Sequence, residues 1–252
     1  MDGTRHTGKV AIITGAGSGI GRATALRLAA EGARVIGCDV AEAALTATKA
    51  AFGEAGLVGE FVAADVTDQE NVERVVAAAG PRIDILANVA GIMDHFLPLG
   101  DMDDDTWDRV LAVNVTGVMR LSRAVLPVML EAGGGSIVTV ASKASLGAGA
   151  SGVAYTTSKH AVIGLVKSIA YFYGPKGIRS NAVLPGPVVT NIGTTAAPTV
   201  PWAMERAQLS MATMAAAADP DEQAAAISWL ASDEASNVNG AVLSVDGGWS
   251  TA

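Results

Sequence analysis

Val10-Ala11-Ile12-Ile13-Thr14 is a short apolar run of β type. It passes directly into Gly15-Ala16-Gly17-Ser18-Gly19-Ile20-Gly21, which opens an amphipathic run to Ala30. A strand, a glycine turn and a helix start in that order let the backbone approach a pyrophosphate, whose charge the first helical N–H groups can bind. The spacing departs from Gly-x-Gly-x-x-Gly, because Ile20 stands where the third glycine would be. Gly15, Gly17, Ser18, Gly19, Ile20 and Gly21 are therefore the first candidate cofactor contacts.

Outward from this unit the same alternation repeats. Strand-like runs are Arg34 to Cys38, Phe61 to Ala64, Ile83 to Ala87, Ser136 to Val140, Ile178 to Leu184 and Ala241 to Val245. Helix-like runs lie between them: Glu42 to Phe52, a run opened by Asp68 as N-cap, Thr106 to Glu131, Val153 to Phe172, and one from Asp219-Pro220 to Leu230. Strands separated by crossover helices make a parallel sheet with helices on both faces. The expected fold class is therefore α/β, a doubly wound parallel sheet of about seven strands. Residues 1–252 are read as one domain. The proline-interrupted segment from Asn191 to Ala218 breaks the alternation and is expected to be an irregular substrate-side lid.

Composition agrees. Hydrophobic residues make up 50% of the 252-residue chain and aromatics only 4%, which suits aliphatic strands under Ala-rich helices. A net charge of -8 argues against nucleic-acid binding. The single cysteine, Cys38, reads as a buried strand residue and points to a reducing compartment. The leader to Gly8 lacks an apolar core, and the uncharged stretch from Ala182 to Met204 contains four prolines, so neither a signal peptide nor a membrane span is expected. The expected location is the cytoplasm, with no membrane partner and no metal.

Two further patterns carry chemistry. Asp39 ends the second strand, where a carboxylate can accept hydrogen bonds from the ribose hydroxyls of an adenosine. Tyr155 and Lys159 are four apart in a helix and share one face. A nearby ammonium favours the phenolate, so the pair can act as a general acid/base.

With these residues the chain resembles the short-chain dehydrogenase/reductase family, over nearly its whole length from about Gly8 to Thr251. Thr14-Gly15-x-x-x-Gly19-x-Gly21 is similar to that family's cofactor loop, Asp65-Val66 to its adenine-side strand end, and Asn88-x-Ala90-Gly91 to its fourth-strand motif. Asn114, Ser142, Tyr155 and Lys159 fall at its catalytic tetrad. Pro185-Gly186, Val188 and Thr190 match the segment over the nicotinamide, and Asp246-Gly247-Gly248 the C-terminal motif. Val89 departs from the pattern, since many members have a second Asn there.

The resemblance implies a Rossmann-like fold and NAD as cofactor. It implies a small-molecule alcohol or carbonyl substrate, oriented by Ser142 while Tyr155 exchanges the proton. Lys159 would lower the Tyr155 pKa and hold the ribose, and Asn114 would hold a water leading to solvent. It also implies a homotetramer, which Ala161, Gly164 and Ser168 would support by allowing close helix packing. A carrier-linked 3-oxoacyl reductase is a competing reading, against which Asp39 counts. A non-catalytic NAD-binding regulator is another, but it would normally lack the Tyr or the Lys. His95 and His160 read as solvated or structural.

Overall fold

The computed structural model describes residues 4–193 and 198–251. Seven strands form one sheet: β1 (Val10–Thr14), β2 (Arg34–Asp39), β3 (Gly59–Ala63), β4 (Ile85–Asn88), β5 (Gly135–Val140), β6 (Ile178–Pro185) and β7 (Val242–Val245). Their order is β3-β2-β1-β4-β5-β6-β7, and every pairing is parallel. Alternate residues serve opposite faces, as the two-residue period of a strand requires. Ala11 and Ile13 pack in the core cluster beneath α1 (Gly19–Ala30) and α8 (Pro220–Ala231), which supply Ala25, Leu28, Ile227 and Leu230. Ile12 packs on the other face with Val72 and Val75 of α3 (Gln69–Ala79) and with Leu121, Val125 and Met129 of α5 (Val118–Glu131). Helix α2 (Glu42–Glu54) covers the β2–β3 end through Leu45 and Phe52.

The order reverses between β1 and β4, which places a crevice at their carboxyl ends. Thr14 closes this point: its buried hydroxyl accepts from the Val89 and Ala90 N–H groups at 2.9 and 3.0 Å. The position where a second Asn was missing is thus held by its backbone.

Two expectations need revision. The run expected as one helix from Thr106 to Glu131 starts earlier, at α4 (Asp104–Leu111), because Asp103 caps it by accepting from the Thr106 N–H. Between α4 and α5 it widens into a π-turn over Ala112–Gly117 that carries Asn114. Such insertions are invisible to a 3.6-residue pattern and occur mostly at functional sites. By length and composition the run Asp104–Glu131 could cross a membrane, but here Leu121, Val125 and Met129 lie in the sheet core.

The segment from Asn191 to Ala218 is not wholly irregular. It contains α7 (Pro201–Met211), because Pro201 sits at the first helical turn, where its missing N–H costs nothing. Residues 194–197 of the segment lie outside the described residues. Its ends are pinned together by hydrogen bonds from Val189 N to Ala218 O and from Ala218 N to Pro187 O. Trp249, near the C-terminus, donates from its indole to Ser210 O of α7 at 2.8 Å.

Candidate active site

A cleft of about 530 Å³ opens at the carboxyl ends of the strands. Of the residues expected from sequence, Gly15, Ser18, Gly19, Ile20 and Gly21 line it at one end, with Asp39, Asp65 and Val66 beside them. Ala90, Gly91, Ser142, Tyr155 and Lys159 line its middle, and Pro185, Gly186, Val188 and Thr190 the far wall. Gly17, Asn88 and Asn114 do not line it. They act one layer behind.

The glycine loop is shaped as a cradle. Gly15 and Gly19 have φ of 68° and 48°, in the left-handed region that side chains disfavour. A Cβ on Gly21 would lie 2.0 Å from Gly15 O. Ser18 begins α1 in extended conformation without bonding a helical N–H through its side chain, so the first turn stays available to an anion. Gly17 gives its N–H to Asp39 Oδ2 at 3.0 Å, and Asp39 Oδ1 accepts from Ala41 N at 2.9 Å. The carboxylate is thereby fixed at the cleft edge with lone pairs to spare. Arg22, the nearby cation, is turned back onto Gly17 O and Thr48 Oγ1. A dinucleotide fits these residues: its pyrophosphate at the glycine cradle, its adenosine ribose at Asp39.

At the other end the four expected catalytic residues come together. Helix α6 (Val153–Tyr173) carries Tyr155 and Lys159, both buried. Ser142, two residues past the end of β5, lines the same cleft as Tyr155, and its hydroxyl accepts from Ala144 N at 3.1 Å. Lys159 Nζ donates to Val140 O at 3.0 Å, leaving two ammonium protons for a ligand. Gly91 lets the backbone approach: a Cβ there would lie 3.3 Å from Asn114 Oδ1 and 3.4 Å from Lys159 Nζ.

The Asn114 side chain is engaged by protein groups. Its Oδ1 accepts from Ile92 N, and its Nδ2 donates to Ile92 O and to Ser158 Oγ, at 2.9 to 3.0 Å. Ser158 Oγ in turn donates to Tyr155 O at 2.7 Å. The side chain is a clamp between the loop after β4 and the catalytic helix. Asn88 is also structural, donating to Ser122 Oγ at 3.2 Å.

Burial dominates the electrostatics of the open site. The Tyr155 phenol is pushed up to about 12, chiefly by burial and further by the Asp94 carboxylate; only the Ser142 hydrogen bond opposes this. Lys159 is itself pushed down to about 8 by burial. Withdrawal from water therefore disfavours the phenolate in the open site, and the Tyr155 hydroxyl carries its proton at neutral pH. Cys38 lines the cleft, but burial raises its thiol to about 12, so it is a packing residue.

Sequence reasoning missed Arg109, Ile92 and Val140 as cleft residues, and it missed Asp94. The last left a trace: α6 begins after Gly152, which has no side chain to cap it. His95 is exposed, and His160 bonds to Thr156 O on the outer side of α6. Among the described residues no three of His, Cys, Asp and Glu form a metal-holding group.

The family described as enoyl-(acyl carrier protein) reductase matches residues 15–250. The chain is 41% identical over 258 residues to the 3beta-hydroxysteroid dehydrogenase 2 of Eggerthella lenta, covering 99% of each. Among solved structures it is similar to one described as an NAD(P)-dependent gluconate 5-dehydrogenase of Beutenbergia cavernae, with NADP bound at low occupancy. There the identity is 37% and the TM-score 0.88, over 100% of both chains. A short chain dehydrogenase of Mycobacterium paratuberculosis bound to NAD has 33% identity and a TM-score of 0.88, over 98% of this chain and 100% of that one.

Proposed function

The chain belongs to the short-chain dehydrogenase/reductase family, and from that premise we propose that it moves hydride between NAD and the carbon of a secondary alcohol or ketone, with Tyr155 as general acid/base. Family membership makes it an NAD(P)-linked oxidoreductase of hydroxy or keto groups. The observation that carries the finer reading is the convergence of Ser142, Tyr155 and Lys159 on the same cleft that the glycine cradle lines.

The nicotinamide supplies hydride transfer. Ser142 orients the substrate oxygen, and Tyr155 gives its proton to that oxygen in reduction or takes it in oxidation. Lys159, anchored on Val140 O, would hold the nicotinamide ribose with its remaining protons. Asn114 keeps the loop after β4 and α6 in register through Ile92 and Ser158.

NAD is favoured over NADP by Asp39, with Val40 rather than a basic residue following it. For the substrate, bulky apolar secondary alcohols are favoured. Leu146, just beyond Ser142, is exposed, as are Val189, Trp202, Leu209 and Met214 along the substrate-side segment. The name of the steroid dehydrogenase relative supports the same class. Trp202 and Met214 stand clear of the cleft wall, so a large ligand has apolar surface to recruit.

Enoyl thioester reduction, suggested by the family description, is disfavoured by likeness to an alcohol dehydrogenase across both full lengths. NADH formation with a 3β-hydroxysteroid, a small secondary alcohol and a polyol tests the reading. Turnover of the steroid above the other two is expected, and turnover of the polyol alone would overturn the substrate class.

A cytoplasmic homotetramer completes the proposal. Buried, unreactive Cys38 fits a reducing compartment. Ala161, Gly164 and Ser168 all lie on the exposed side of α6, and nothing lies within 4 Å of a Cβ placed on Gly164. A monomer mass by light scattering at micromolar concentration would remove the tetramer.

A further inference from the structure

We propose that Asp94 is a positioning residue for Tyr155: its buried carboxylate, reaching from the loop after β4, caps the catalytic helix from outside and binds the backbone of the tyrosine itself. This rests on the reading of Tyr155 as the acid/base.

The geometry is that of a cap supplied from another segment. Helix α6 starts after Gly152, which has no capping side chain. Asp94 is fully buried and fills that role. Its Oδ1 accepts from Ser151 Oγ and Gly152 N, each at 3.0 Å, and its Oδ2 accepts from Tyr155 N at 2.9 Å. A carboxylate is favoured at a helix N-terminus by the dipole and by the open N–H groups. Here the third of those N–H groups belongs to the reacting tyrosine itself.

The loop is built to hold this contact. His95 and Phe96 are successive non-glycine residues at φ of 56° and 58°, a strained pairing that persists only where its surroundings impose it. Leu97 imposes it, donating to Asp94 O and accepting from Val153 N. Gly152 permits it: a Cβ there would lie 2.5 Å from Leu97 N and 2.6 Å from Asp94 Oδ2. With the Asn114–Ile92 clamp, the loop after β4 is tied to α6 at two places, through Ser158 and at the helix start.

The charged groups around the phenol are few. Lys159 stands on the same helix. Arg109 lines the same cleft from α4. Lys143 follows Ser142, but its ammonium lies 4.7 Å over the Trp249 ring. His95 beside Asp94 is exposed. Asp94 is the charge that acts to raise the Tyr155 pKa, alongside burial. Its effect is to keep the proton on Tyr155 until a bound ligand changes the field.

The chain has three tyrosines, Tyr155, Tyr171 and Tyr173, so the phenol can be titrated without a substrate. Ring-carbon (13Cζ) tyrosine NMR follows each one to the highest pH at which the wild type keeps its fold, and Tyr155→Phe assigns the signal. The Asp94→Asn midpoint for Tyr155 is expected to fall by about 0.5 unit or more, and Asp94→Glu is expected to restore it at least in part. Ser151→Ala separates charge from mere loosening. It removes one hydrogen bond from the carboxylate and leaves the charge less neutralised, so the midpoint rises. A looser helix would let in water and lower it. This variant decides alone if Asp94→Asn does not fold. An unchanged midpoint in Asp94→Asn, or an unchanged or fallen one in Ser151→Ala, overturns the proposal. Turnover by Tyr155→Phe answers a separate question. An active Tyr155→Phe removes the acid/base reading, whereas an inactive one beside an unchanged Asp94→Asn midpoint removes only the role of Asp94.

Discussion

The ammonium of Lys159 lies 5.4 Å from the ring centre of Tyr155, yet its hydrogen bond goes to Val140 O at 3.0 Å. The backbone of β5 therefore holds the ammonium in place over the ring of Tyr155. Burial then decides both groups, raising the phenol to about 12 and lowering the amine to about 8.

Lys159→Met is expected to abolish turnover while raising stability. Burial shifts the Lys159 pKa from 10.5 to about 8, a penalty of about 3 kcal/mol wherever the amine is charged in both states. The sign follows from linkage. Below about pH 8 the full penalty applies to the wild type. It fades as pH rises toward 10.5, because the folded amine is then neutral while the unfolded one is still charged. Thermal unfolding should thus give the variant a Tm several degrees higher at pH 7, with the gap closing between pH 8 and 10.5. A variant less stable than wild type at pH 7 would show that Lys159 is a net structural asset.

Asp39→Ala is expected to relax cofactor choice. A 2′-phosphate beside this carboxylate meets like-charge repulsion of about 4 kcal/mol at ~4 Å and an effective dielectric near 20, before screening. A quarter of that gives several-fold preference for NAD. Steady-state kinetics with both cofactors on one alcohol measure it. Equal use of NADP by the wild type, or an unchanged ratio in the variant, would assign selectivity elsewhere.

Gly21→Ala is expected to cost cofactor binding, because the added Cβ would fall 2.0 Å from Gly15 O and must push the loop open. NADH fluorescence should report affinity at least ~10-fold weaker, the scale of about 1.4 kcal/mol. Wild-type affinity in this variant would mean that the cradle is not where the pyrophosphate binds.

Helix α7 buries only Ala207 fully, while the ends of its segment are pinned at Val188 and Ala218. Amide exchange of α7 peptides is therefore expected to be fast in the free protein and slower with NAD. Strong, equal protection in both states would make α7 a fixed wall rather than a lid.

Much of this was legible in the sequence, because each signal was local. Val10 to Gly21 set the strand–turn–helix unit, and the β–α alternation set the sheet. The four-residue spacing put Tyr155 and Lys159 on one face. What was hidden depended on distant partners. The π-turn at Asn114 breaks helical periodicity by adding backbone, not by changing residue type. Asn114 was legible as a tetrad position but not as a clamp, and Asp94 not as a cap, until Ile92, Ser158 and the start of α6 were placed against them. The phenol's direction of shift could not be read from spacing, because burial is a property of the whole fold.

The central claim is that Tyr155 exchanges the proton during hydride transfer. Tyr155→Phe keeps the ring and removes only the hydroxyl, so it is the most direct measurement. NADH affinity is expected to stay within about twofold of wild type, while turnover of a 3β-hydroxysteroid or other accepted alcohol falls by ~100-fold or more, the scale of a lost general acid/base. Near-wild-type turnover by Tyr155→Phe would contradict the account.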